Sequence, residues 1–136
     1  NMQLIAVIMG AETRDKRNEA ARCLLDFGFA NYALYEVPET FIENVDVLSG
    51  VKPTAPISST EFCTVVEKGK LSEIEKVYEI PESISAPISA NDKVGKIIYK
   101  IDGAQIGFSD IIVTESVTKI SVSGIFFEIL KRFMFG

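Results

Sequence analysis

The stretch Lys96-Ile97-Ile98-Tyr99-Lys100-Ile101-Asp102-Gly103-Ala104-Gln105-Ile106, residues 96–106, decides the fold class. Two β-prone runs flank an Asp-Gly pair. Such a pair suits a tight hairpin turn, in which both central residues take positive φ. Outward from this hairpin the same texture repeats. Short β-rich runs cover 32–37, 43–48, 61–67, 74–80, 83–86, 95–101 and 105–115. Breaks fall at Pro38, Ser49-Gly50, Lys68-Gly69-Lys70, Pro81, Pro87 and Asp102-Gly103. No helical pattern intervenes, and many short strands at this spacing predict a small antiparallel β-sandwich or barrel over residues 32–116.

The flanks differ. Leu4-Ile5-Ala6-Val7-Ile8-Met9 is a continuous apolar run closed by Gly10, the pattern of a strand buried on both faces in mid-sheet. A helix is predicted over about residues 13–27. Thr13 is its N-cap, Ala20, Cys23, Leu24 and Phe27 form its apolar face, and Gly28 stops it as a C′ residue. Residues 1–31 are therefore a strand-helix unit ahead of the β-domain.

Residues 117–136 form a third unit, with a helix over 123–135. Ile125, Phe126, Ile129, Leu130, Phe133 and Met134 occupy one side, and Glu128, Lys131 and Arg132 cluster on the other. The segment is too short to span a bilayer. Aromatics on one face with basic residues at the polar edge suit a helix lying in the headgroup plane. The competing reading is a terminal helix docked on its own domain or on a partner.

Composition narrows the function. The 136 residues are 47% hydrophobic and 24% charged, which is globular. The net charge of −5 leaves no basic stripe to neutralise phosphates, so a nucleic-acid partner is not expected. Without histidine the chain lacks the commonest general base and metal ligand. Cys23 and Cys63 stand apart with no CxxC, and both read as small core hydrophobes. No cofactor or metal site is expected. No signal peptide is visible, and no apolar run reaches the ~18 residues of a transmembrane helix.

Two Ser-x-x-Lys matches, Ser49/Lys52 and Ser116/Lys119, and a Ser-x-Asn match at Ser89/Asn91 resemble elements of a penicillin-binding serine site. Their context is wrong. A catalytic serine of that kind opens a buried helix, whereas Ser49 lies in a loop before Lys52-Pro53 and Ser116 at a strand end. No Lys-Thr-Gly follows, so these matches are chance. Glu73, Glu75 and Glu79 read as a solvated face.

Two longer stretches carry a resemblance. Residues 2–32, MQLIAVIMGAETRDKRNEAARCLLDFGFANY, resemble the last strand and helix of the transpeptidase-type domain of D-alanyl-D-alanine carboxypeptidases, the low-molecular-weight penicillin-binding proteins. The matching elements are Met9-Gly10-Ala11, Thr13 with Arg17, Glu19-Ala20, Leu24-Leu25 and Gly28-Phe29. Residues 86–117, APISANDKVGKIIYKIDGAQIGFSDIIVTESV, look like the closing hairpin of that family's C-terminal β-domain, through Ala86-Pro87, Val94-Gly95 and Asp102-Gly103. The family then ends in an amphipathic anchor helix. Its catalytic serine, lysine, Ser-x-Asn and Lys-Thr-Gly all lie upstream of the strand at residues 4–9, so no catalytic residue carries over.

The resemblance implies a parent on the outer face of the bacterial cytoplasmic membrane. It would trim terminal D-alanine from peptidoglycan stem peptides through a serine acyl-enzyme. This chain would be its stalk and anchor, inactive alone, holding the membrane surface through its last helix. On this reading Leu4–Met9 is an edge whose neighbours belong to the catalytic domain. It would pair instead with a second copy or with a segment of the β-domain, and the exposed face of the last helix would bury against another copy or against the first strand and helix. The alternative is a self-contained β interaction or carrier-like module. That reading needs a modified lysine at an exposed hairpin tip, for which Lys68-Gly69-Lys70 is a poor candidate.

Overall fold

In a computed structural model, residues 1–135 are described, except for the side chains of Val122, Glu128 and Phe135. The element order is α1 (Arg14–Asn31), β1 (Tyr32–Val37), β2 (Thr40–Leu48), β3 (Thr54–Ser59), β4 (Phe62–Glu67), a 3-10 turn at Lys68–Glu73, β5 (Glu75–Glu79), β6 (Ser83–Ser85), β7 (Lys93–Ile101), β8 (Ala104–Val113) and α2 (Val122–Phe135). The chain is mainly β, as its hairpin texture predicts. Six strands form one sheet in the order β5-β7-β8-β3-β2-β6, and β1 pairs with β4 in a second, smaller sheet. All pairs are antiparallel except β2 with β6.

The two sheets meet over Tyr99, which is fully buried on β7. Phe62 of β4 stacks on its ring at 4.2 Å, and Tyr35 of β1 meets it edge-on at 6.1 Å. Its hydroxyl shares a hydrogen bond of 3.2 Å with Ser109 Oγ, so the buried polar tip is satisfied. Around it, Val45, Val47, Ile57, Ile97, Ile111 and Val113 fill the core. Val117 belongs to the same core, so the packing of the β-unit runs past residue 116.

The Asp102-Gly103 turn is confirmed, with φ of 51° and 77°, the geometry of a two-residue hairpin. β3 is absent from the sequence reading, because Pro56 argues against a central strand. Pro56 escapes that rule. Its carbonyl, which faces the β8 side, accepts from Thr114 N–H, and the β3–β8 ladder begins only at Ile57. The missing N–H therefore forgoes a single bond at the very end of that ladder, opposite Thr114, and not one inside it.

α1 corrects three expectations. It starts as predicted, with Thr13 Oγ1 accepting from Lys16 N–H at 3.3 Å. It does not stop at Gly28 but continues to Asn31 and passes directly into β1. Its last carbonyls find other partners, since Asn31 Nδ2 donates to Phe27 O and Lys68 Nζ to Phe29 O. Its inner side is Ala20, Ala21, Leu25 and Gly28, so of the predicted face only Ala20 is half-buried, whereas Cys23, Leu24 and Phe27 are exposed. Cys63 is also exposed, on the outward face of β4. Neither cysteine is a core residue, because strand alternation turns Cys63 outward and helical phase turns Cys23 away from the segment that covers α1.

That segment is residues 1–9. Among the described residues no strand pairs with Leu4–Met9, so the expected pairing with a segment of the β-domain does not occur. The run lies against α1 instead, with Leu4 seated over Gly28 so closely that a Cβ there would approach its Cδ1 to 2.5 Å. Met2, Leu4, Ala6 and Ile8 are half-buried. Ile5, Val7 and Met9 face water, Ile5 with 92% of its surface exposed, so the run is not buried on both faces.

Candidate membrane-binding surface

α2 begins where Ser121 caps it. Ser121 Oγ accepts from Gly124 N–H at 3.4 Å, and its carbonyl accepts from Ile125 N–H at 3.1 Å. At about 100° per residue, Ile125, Ile129, Phe133, Phe126, Leu130 and Met134 fan over roughly half the helix circumference. Lys131 and Arg132 fall on opposite margins of that fan. All six apolar side chains are exposed, Phe126 by 61% and Phe133 by 91%. Every other described side chain of α2 is exposed too, so the helix is not packed on the first strand and helix. Lys119, Lys131 and Arg132 against Glu128 give residues 117–136 a net charge of +2, in a chain that totals −5. No described helix is long and apolar enough to cross a membrane.

An adjoining feature was not legible in the sequence. The β2–β3 loop lies beside the start of α2, where Val51, Ile120, Ser121, Gly124 and Ile125 line a shallow groove. Val51 N–H donates to Thr118 O at 2.9 Å and Ile120 N–H to Ser49 O at 2.8 Å, so the loop is tied to the segment that enters the helix. A lone Val51 between Gly50 and Lys52-Pro53 was the only hint, and its neighbour lies about 70 residues away along the chain.

The serine look-alikes have structural roles. Ser49 sits in a turn at φ 59°, and Lys52 pairs with Glu115 at 2.7 Å instead of facing a serine. Ser116 Oγ accepts from Ala90 N–H at 2.9 Å, and Ser89 N–H donates to Asp92. Neither lysine of the carrier-like alternative is at a hairpin tip. Both lie in the 3-10 turn, Lys68 bonded to Phe29 O and Lys70 3.8 Å from Asp102. Among the described residues no cluster of acidic or thiol side chains could hold a metal ion.

Known proteins share this fold. The family described as penicillin-binding protein 5, C-terminal domain, matches residues 29–119. D-alanyl-D-alanine carboxypeptidase DacA of Haemophilus influenzae is 30% identical over 91% of this chain and 33% of its own length. DacF of Bacillus subtilis, of the same designation, is 30% identical over 98% of this chain and 34% of its own. The chain thus spans about a third of the length of these relatives. Penicillin-binding protein 5 of Haemophilus influenzae superposes with a TM-score of 0.70 at 28% identity, over 82% of this chain and 34% of that one. PBP3 of Streptococcus pneumoniae shares the fold alone, with a TM-score of 0.55 at 16% identity over 76% of this chain and 32% of its own. With the sandwich, the hairpin and the family match in agreement, the chain belongs to the penicillin-binding protein 5 C-terminal domain family of the D-alanyl-D-alanine carboxypeptidases.

Proposed function

We propose that the chain is the non-catalytic C-terminal part of a serine-type D-Ala-D-Ala carboxypeptidase, and that it acts there as stalk and membrane anchor. The observation that carries the anchor is α2, a helix with six exposed apolar side chains on one face and basic residues at both margins. Such a helix lowers its free energy by burying that face at the headgroup–acyl boundary while lysine and arginine reach anionic lipid. The designation of its relatives supports the parent activity. Its substrate would be the D-Ala-D-Ala terminus of peptidoglycan stem peptides, and its place the outer face of the cytoplasmic membrane. Residues 1–31 would be the last strand and helix of the catalytic domain, and Ile5, Val7 and Met9 the edge through which an isolated chain would meet a second copy.

Flotation with vesicles containing phosphatidylglycerol tests the anchor. The chain should float, and a variant with Phe126→Ser, Phe133→Ser and Met134→Ser should stay in the soluble fraction. Equal flotation of both would remove this face from the role. A fluorescent β-lactam should label neither protein covalently.

A further inference from the structure

The β2–β3 loop and the entrance to α2 are one surface, although 70 residues separate them in sequence. Backbone hydrogen bonds from Val51 to Thr118 and from Ile120 to Ser49 hold them together, and Gly50 forms a β-bridge with Lys119. Gly50 permits this approach, since a Cβ there would meet Val47 and Val117 at 2.6 and 2.8 Å. The loop therefore cannot swing away from the helix without breaking this bridge. It presents Val51 outward with 65% of its surface exposed, beside Ile120 and Ile125. The apolar ground thus continues from α2 onto the β-unit. Lys119, in the same bridge, with Lys131 and Arg132 against Glu128 on α2, leaves residues 117–136 at a net charge of +2 in an acidic chain, while Lys52 of the loop is paired with Glu115.

We infer that Val51 and Ile120 form a second lipid contact, so that loop and helix seat together on an anionic membrane surface and the β-unit stands at a fixed angle to it. A helix acting as a flexible tether would need no hydrophobic residue at the tip of a neighbouring loop. The inference rests on the anchoring role proposed for α2, and the occupant it names is anionic lipid headgroup with the outer acyl region. Basic residues at this end complement such a surface and do not complement a second copy of the same basic end.

Two measurements on the whole chain separate this inference from the anchoring role. An environment-sensitive fluorophore at Val51→Cys, in a Cys23→Ser, Cys63→Ser background, should shift to the blue on vesicles of phosphatidylglycerol and phosphatidylethanolamine. Lipids spin-labelled near the headgroup should quench it, while the same fluorophore at Gly69→Cys stays unshifted and unquenched. Val51→Asp, at an exposed loop position, should lower vesicle affinity roughly fivefold. Bound chains whose fluorophore at position 51 remains in water, or Val51→Asp binding as well as the parent sequence, would overturn the second contact and leave the anchor standing. Failure of every variant to bind would overturn both.

Discussion

Gly107 and Phe62 show how single residues close this sandwich. A Cβ at Gly107 would fall 2.4 Å from two atoms of the Phe62 ring, which itself stacks on Tyr99. Gly107→Ala should push Phe62 off Tyr99 and destabilise the fold by about 1–3 kcal/mol, read from urea unfolding. Tyr99→Phe, which removes only the bond to Ser109, should cost about 1 kcal/mol. If Gly107→Ala costs less than Tyr99→Phe, the stack is not what joins the sheets. The cysteines test orientation. Both should react with Ellman's reagent in the folded chain, and urea should expose no further thiol. Their exposure was unreadable, because an apolar neighbourhood in sequence is not one in space. Asp102-Gly103 was readable, because its turn is dictated by two adjacent residues.

Among elements, α1 depends on a segment that is not itself a strand. Leu4 rests on Gly28, so Gly28→Ala should displace the N-terminal run while leaving the β-core intact. Hydrogen exchange should quicken in α1, whose inner side that run covers, and remain unchanged in β7 and β8. Equal quickening in both would mean that α1 and the sandwich unfold as one unit. Local signals fixed the existence of α1, from Thr13 onward. Its end and its buried stripe were set by partners far along the chain, Lys68 at the C-terminal carbonyls and Leu4 on the helix face. β3 was hidden for the same reason, since Pro56 is tolerable only because of where the β8 ladder begins.

At the scale of the molecule, the two helices attach at opposite ends of the β7–β8 hairpin. The 3-10 turn that binds α1 through Lys68 also brings Lys70 to Asp102 at the hairpin tip. The segment leading into α2 bonds at the other end, where Thr114 meets Pro56, Val117 meets Ile88 and Lys119 meets Gly50. β8 has ten residues, so these ends are separated by roughly 33 Å. Neither separation nor polarity could be read from sequence, because both arise from long-range pairing. The strands themselves, and the amphipathic face of α2, lie in short local patterns and were legible.

A sandwich of this length between the two helices would keep α1 clear of a surface on which α2 lies. Energy transfer to rhodamine-labelled lipid tests this most directly, with donors placed singly at Lys119→Cys and Gly69→Cys in a Cys23→Ser, Cys63→Ser background. On anionic vesicles the account predicts strong transfer from position 119 and weak transfer from position 69. Equal transfer from the two positions would mean that the β-unit lies flat on the membrane, and would contradict the proposed stalk role.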